Sequence, residues 1–394
     1  MKNIQHKDDY KQTTIGKIPT DWEVKNINEV AKVETGSKNT QDKNVNGKYP
    51  FFVRSPNIEK IDTFSFDGEA ILLAGDGDIG KVIHYINGKF DFHQRVYKIS
   101  NFQNTLFGKY FYYYFCQNFI KQALKYTAKT TVDSVRMEMV TLMPIPLPPL
   151  AEQKKIADIL STWDLAIEKT QNIILNLKRR NKGLLKEIMS NKFLMNKGAK
   201  EYLLCDITEK IGDGLHGTPE YDFKTDFYFI NGNNLINNKI IVNSNTNCIS
   251  RKTYELHKKE LNLNTILLSI NGTIGNVAYY NGENVVLGKS VAYISCSNII
   301  KKEFLGYLLQ SPQMLSYFES ELTGSTIRNL SLKSIRQAPI KIPSIPEQQA
   351  IADVLNTAER ELRMYEQKME LLQTQKKGLM QKLLTGEVRV KING

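Results

Sequence analysis

Residues 152–190, EQKKIADILSTWDLAIEKTQNIILNLKRRNKGLLKEIMS, align without a gap on residues 347–385, EQQAIADVLNTAERELRMYEQKMELLQTQKKGLMQKLLT. The offset is 195 throughout, with eleven identities in thirty-nine positions. In the first copy the apolar residues Ile156, Leu160, Trp163, Ile167, Ile174, Leu177, Leu184 and Ile188 step by fours and threes. The second repeats the register with Ile351, Leu355, Ala358, Leu362, Tyr365, Met369, Leu372, Leu379 and Leu383. A 3–4 spacing sustained over about four heptads is a coiled-coil seam rather than a broad amphipathic face. Thr170, Asn181 and Lys376 are polar seam positions, which can set register and partner at some cost in stability. A 39-residue helix is a rod of roughly 58 Å that buries nothing alone, so the two copies are expected to pair.

The repeat extends upstream. Pro144-Ile145 recurs as Pro339-Ile340, Pro148 as Pro343, Gly77-Asp78-Ile79-Gly80 as Gly272-Thr273-Ile274-Gly275, and Thr131 as Thr326. Each helix follows a proline-rich elbow, tolerated because early helical amides need no intrahelical partner. Ala70–Ala74, Lys81–Ile86, Thr265–Ile270 and Val285–Ser295 are predicted strands, with turns at Asn87-Gly88, Asn271-Gly272 and Asn281-Gly282. Phe107–Lys125 is predicted helical, its Tyr110–Tyr114 run fitting core packing better than base stacking. The expected fold is α+β: two similar globular α/β blocks separated by two long helices. Pairing within one chain favours an antiparallel coiled coil, giving a pseudo-two-fold internal repeat.

Composition narrows the function. The chain has 394 residues, 41% of them hydrophobic, and 53 Lys and Arg against 41 Asp and Glu give a net charge of +12. That excess suits polyanionic partners, and it is spread over both blocks rather than held in one basic arm. Cys116, Cys205, Cys248 and Cys296 lie far apart and the five histidines are scattered, against disulfide pairs or a metal site. No apolar run approaches the roughly 18 residues that span a bilayer, and Met1 to Tyr10 has no signal-peptide core. Neither metal nor membrane association is expected.

Catalytic signatures are missing. Gly75-Asp76-Gly77-Asp78-Ile79-Gly80-Lys81 fits the first seven positions of a phosphate-binding loop, but Val82 replaces the hydroxyl that would ligate magnesium. Two acidic residues within it oppose a triphosphate. A tight turn at a sheet edge is the better reading, with close approach to a DNA backbone second. No G-x-S-x-G, H-E-x-x-H or G-x-G-x-x-G stretch occurs. A protein-assembly scaffold remains the competing reading from another class.

The order of the motifs resembles the DNA specificity subunit of type I restriction–modification systems. The resemblance rests on Thr14-Ile15-Gly16-Lys17-Ile18-Pro19-Thr20-Asp21-Trp22-Glu23 near the start and on Asp213-Gly214-Leu215-His216-Gly217-Thr218-Pro219-Glu220-Tyr221. It also rests on Gly272 to Gly275 and the Pro-x-x-x-Glu-Gln-x-x-Ile-Ala run before each helix. Leu215 departs from the family's Thr, and the first block lacks the His-x-Thr-Pro stretch, so the halves are expected to read different sequences.

The resemblance implies target recognition domains over 1–150 and 193–345 and spacer helices over 151–192 and 346–390. It implies a non-catalytic protein that reads a bipartite, asymmetric site in double-stranded DNA and docks two methyltransferase subunits and, through them, restriction subunits. S-adenosylmethionine and ATP would sit on those partners, with no cofactor on this chain. The location implied is a bacterial or archaeal cytoplasm, at the nucleoid. Groove readout calls for Asn or Gln on adenine and Arg or Lys on guanine. The candidates are Lys43, Lys48, Arg54, His93, Gln94, Arg95, Lys129, Thr130, Thr131 and Arg136 in the first block. In the second they are His216, Thr218, Tyr221, Asn231, Asn233, Asn234, Lys289, Ser325, Thr326, Arg328 and Asn329.

Overall fold

The computed structural model describes residues 9–77, 79–126, 134–323 and 328–392. Lys129, Thr130, Thr131, Ser325 and Thr326 lie outside the described residues. The chain forms two compact units, one of residues 1–171 with 367–394 and one of residues 172–366. The long helices are Leu150–Ile188 and Ile345–Leu383, each of 39 residues and related by the repeat offset. Each unit therefore holds part of both helices, a division that cuts across a block-and-spacer scheme. The second helix stops at Leu383 rather than near residue 390, because Gly386 takes a left-handed φ of 73° and turns the chain away. The first stops at Ile188, and Ser190 caps a short new helix by accepting from the Phe193 amide at 3.2 Å.

Within each unit the helices run antiparallel. In the first, Lys376 pairs with Asp164, while Arg389, just past the second helix, reaches back to Glu152 at 2.7 Å. In the second, Lys178 meets Glu366 at 2.9 Å and Arg180 meets Glu361 at 2.7 Å. Leu160, Ile174, Leu177, Leu355 and Met369 are buried. Trp163, Ile167, Leu184, Leu362, Tyr365, Leu372 and Leu379 are half-buried, as knobs of a two-helix seam with one open side are. All three polar seam residues are satisfied. Thr170 donates to Ala166 O at 2.7 Å, Asn181 donates across the seam to Ala358 O at 2.9 Å, and Lys376 takes Asp164.

The first unit carries a six-stranded sheet. Its spatial order is Lys32–Thr35, Val96–Ser100, Phe66–Ala74, Ile83–Phe92, Tyr49–Phe52 and Glu59–Ile61. Every neighbouring pair is antiparallel except Tyr49–Phe52 against Ile83–Phe92. Helix Gly108–Leu124 buries Tyr110, Phe111, Phe115 and Phe119 in the core, the packing role expected of its aromatic run. Asn87-Gly88 is not a turn. It lies inside strand Ile83–Phe92, with Gly88 opposite Gly68, and two facing glycines let both strands take positive φ there.

The second unit repeats this frame with four strands, ordered Thr208–Asp213, Val291–Cys296, Thr265–Ser269 and Val277–Tyr279. The run Val285–Ser295, expected as one strand, is two, because Val291 donates to Gly288 O at 3.0 Å and closes a turn between them. Ala70 faces Ser100 as Thr265 faces Ser295, and the parallel contact of Phe52 with Phe92 recurs as Ile230 with Leu287. Between those landmarks the second unit has 34 residues (231–264) where the first has 17 (53–69). The surplus builds a hairpin, Leu235–Ile236 with Lys239–Ile240, and helix Arg251–His257.

The proline elbows are short edge strands, not loops. Pro144–Leu147 pairs with Glu23–Asn26, and Pro339–Ile342 with Lys200–Leu203. A two-stranded ribbon tolerates proline because the missing amide faces away from its only partner. Next to each elbow a fully buried glutamine ties helix, elbow and sheet together. Gln153 accepts from Phe107 N at 2.8 Å and donates to Thr105 O and Pro148 O. Gln348 accepts from Lys301 N at 2.8 Å and donates to Ile299 O and Pro343 O.

Candidate nucleic-acid interface

In the first unit the glycine loop leaves strand Phe66–Ala74 and returns as the antiparallel strand Ile83–Phe92. A phosphate cradle needs a helix N-terminus after its glycines, and here a strand follows. Val82 is buried and its carbonyl accepts from Ala74 N at 3.1 Å, closing the loop as a sheet-edge turn. Gly75 donates to Arg95 O at 2.8 Å, and a Cβ on Gly75 would stand 2.7 Å from that oxygen. Only glycine lets these two turns touch.

That contact gathers a charged cluster from three separate loops. The Asp76 carboxylate accepts from Arg54 Nη1 at 3.0 Å and from Arg95 Nη1 at 3.0 Å. Burial works to raise the Asp76 pKa, but the hydrogen bonds and charges of both arginines outweigh it and hold the carboxyl below its ordinary value. The guanidiniums face solvent, with 44% and 64% of their side chains exposed against 18% for Asp76. Beneath them His93 Nδ1 accepts from Arg95 N at 3.0 Å, so the neutral ring carries its proton on Nε2. Burial first, then the neighbouring Arg54, depress its pKa. Gln94 donates to Lys38 O at 2.8 Å and to Asn39 Oδ1 at 2.6 Å, fastening the polar loop that starts at Ser37.

The second unit builds the same place differently. Asn271 stands at the repeat position of Asp76 and donates to Lys289 O at 3.3 Å. Ser290 stands at that of Arg95, donating to Asn231 Oδ1 at 2.9 Å and accepting from Gly232 N. Asn234 accepts from Asn231 N and donates to Ile241 O. Farther along, His216 Nε2 lies 2.7 Å from Asp213 Oδ2 with most of its ring in solvent. Gly214 is required there: a Cβ would stand 2.2 Å from Leu287 O. Leu215, the departure from Thr, packs against the buried cluster of Phe229, Ile249 and Val286.

Of the sequence-predicted residues, the structure brings Arg54, His93, Gln94 and Arg95 together. His93 is buried at 5% exposure and bonds the Arg95 amide, so it shapes the turn beneath the arginines. The Asn231 side chain accepts from Ser290 in the neighbouring turn, and the Asn234 side chain holds its own loop. Lys43 pairs with Glu59 at 3.3 Å, Arg328 pairs with Glu319, and exposed Arg136 reaches Tyr126 O at 3.5 Å. Lys48, Thr218, Asn233 and Lys289 are exposed, Tyr221 is exposed beside Phe229, and Asn329 pairs by backbone with Thr323. Sequence reading favoured the polar loop Ser37–Lys48, which holds Asn39, but missed Asp76 as an organiser, and also Asn271 and Ser290. The available signal was adjacency, as Asp76 and Asn271 each sit one residue from a loop glycine. Among the described residues no cluster of His, Cys, Asp and Glu could hold a metal, and no helix is long and apolar enough to cross a membrane.

The family model for the type I restriction modification DNA specificity domain matches residues 19–179 and again residues 196–373. The chain belongs to that family. Each match runs from the start of one repeat into its long helix. The type I restriction enzyme EcoDI specificity subunit of Escherichia coli is 31% identical over 156 residues, 40% of this chain and 34% of that protein. The chain thus spans about a third of that relative's length. The MjaVIII specificity subunit of Methanocaldococcus jannaschii is 27% identical over 414 residues, 95% of each chain. The crystal structure of the type I restriction–modification S subunit from M. genitalium shares the fold, with a TM-score of 0.59 and 17% identity over 94% of this chain and 97% of that one.

Proposed function

We propose that this chain is the non-catalytic, sequence-reading subunit of a type I restriction–modification complex, recognising a bipartite, asymmetric site in double-stranded DNA. One observation carries the reading: two units share a backbone frame yet present different side chains at the same sheet-edge loops. Asp76 with two arginines stands in one, and Asn271 with Ser290 in the other. A repeated scaffold with unlike tips suits one half-site per unit, each entered from the major groove. The paired helices act as the ruler between half-sites and as the dock for two adenine-methyltransferase subunits, which bring S-adenosylmethionine. ATP-driven restriction subunits join through them, in the cytoplasm at the nucleoid.

The test is modification-sensitive long-read sequencing of DNA from cells expressing the chain with its methyltransferase, beside the methyltransferase alone. N6-methyladenine at one bipartite motif, appearing only when the chain is present, is the expected result. Assembly of the complex without any motif overturns the reading.

A further inference from the structure

We infer that the first unit reads guanine, with Arg54 and Arg95 as its specificity-determining side chains and Asp76 as the residue that positions them. This rests on the DNA-reading function proposed above. A guanidinium meets the O6 and N7 acceptors of guanine with two parallel N–H donors. A free surface arginine samples many rotamers, about 2 kcal/mol of entropy, and must be oriented before such a fork discriminates. Here Asp76 meets only the Nη1 end of each arginine, Arg54 through both carboxylate oxygens at 3.2 and 3.0 Å and Arg95 through one at 3.0 Å, and leaves Nη2 and Nε of both forks unused by the carboxylate. The carboxylate lies behind, and both guanidiniums lie in front.

Charge bookkeeping separates base reading from phosphate contact. A site built to neutralise phosphates gains from every uncancelled cation. Placing a carboxylate between two arginines gives up one charge of two and gains orientation, a trade that suits a base edge better than a phosphate. The support beneath is equally specific: Gly75 admits the Arg95 turn, and buried His93 holds the Arg95 amide at 3.0 Å. At the matching positions the second unit has Asn271 and Ser290, so readout by this arginine pair belongs to one half-site.

The experiment compares the assembled wild-type complex with Arg54→Lys, Arg95→Lys and Asp76→Asn. Binding is measured on duplexes in which each base pair of the motif is replaced in turn, alongside the sequencing readout. Lysine keeps the charge and loses the fork. The expected result is a fixed G·C pair in one half-site that wild type prefers over A·T by about tenfold or more. Each lysine variant should flatten that preference, leave the other half-site intact and keep the non-specific affinity with its salt slope. Asp76→Asn should lose the preference while binding non-specific DNA at least as tightly, an outcome that simple loss of folding would not produce. Full discrimination retained by both lysine variants makes these arginines phosphate contacts and overturns the inference, as does a motif with no G·C pair in either half. A wild-type complex that yields no motif removes the DNA-reading function itself.

Discussion

Glu152 and Glu347 occupy the same position of the repeat, followed by the same glutamine, and live in opposite surroundings. Glu152 is 1% exposed, accepts from the Trp22 indole at 3.2 Å and takes two hydrogen bonds from Arg389. Glu347 is a surface residue that meets Lys197 at 3.3 Å. The neighbouring Gln153 and Gln348 make matching bonds in both units. The glutamines answer to a local backbone frame, and the frame repeats. The glutamates answer to what the rest of the chain lays over them. Trp22 and Asp21 precede strand Glu23–Asn26 where Ala199 and Gly198 precede the matching strand Lys200–Leu203, and Arg389 lies beyond the second long helix, so only the first unit has these three side chains. Tyr10 donating to Gly386 O at 3.0 Å belongs to the same closure within that unit.

The contrast breaks most visibly at the glutamates. Glu152→Ala should cost about 3 kcal/mol, because it strands a buried indole N–H and half of the Arg389 pairing. Glu347→Ala should stay within about 0.5 kcal/mol, as surface ion pairs do. Unit-resolved hydrogen exchange on the intact chain reads both, and equal losses would show that burial does not separate them. Gln153→Ala and Gln348→Ala should each lose about 2 kcal/mol in their own unit, since three backbone groups lose the buried side chain that satisfies them. Unequal effects there would mean that the two frames are less alike than their bonds.

A smaller difference lies in the second unit's surplus segment. Asn238, at a φ of 63°, donates to both Glu359 carboxylate oxygens at 3.3 Å and accepts from Gln310, anchoring the hairpin to the long helix. Asn238→Gly keeps the backbone comfortable and removes the amide, so about 1 kcal/mol should be lost from hairpin protection. The first unit, without this hairpin, should be untouched.

The smallest effect is acid sensitivity. His93 is held neutral by burial and by Arg54, with Arg95 adding and Asp76 and Asp42 opposing, so its folded pKa lies below its unfolded one. The unfolded chain then binds the extra proton first. Stability from this group is complete above about pH 6.5 and declines as pH falls below it. The second unit has Gly288 at the matching position. Thermal unfolding between pH 7.5 and 5.5 should weaken the first unit more, and His93→Asn, which retains an acceptor for Arg95 N, should reduce that slope.

Legibility followed range. The seam was readable because apolar spacing on a helix is a local property, and Thr170, Asn181 and Lys376 each proved to have a partner. Arg54 and Arg95 were readable as basic side chains of the kind that groove readout of guanine calls for. Their organiser was not, because Asp76 reads as an ordinary acidic loop residue until strands separated in sequence deliver both arginines to it. Asn87-Gly88 misled for the same reason. A turn dipeptide looks alike in any chain, and only its pairing with Gly68 shows that it continues a strand.

The amino-acid sequence by itself determined the two-copy plan, the long helices with their seam and the family, because periodicity and a constant offset need no knowledge of the third dimension. The tertiary structure decided which of two identical letters is buried, which histidine lies beneath the Arg95 turn, and where two guanidiniums share one carboxylate. Burial and ion pairing depend on which distant segments come to rest against a residue, and no local pattern encodes that.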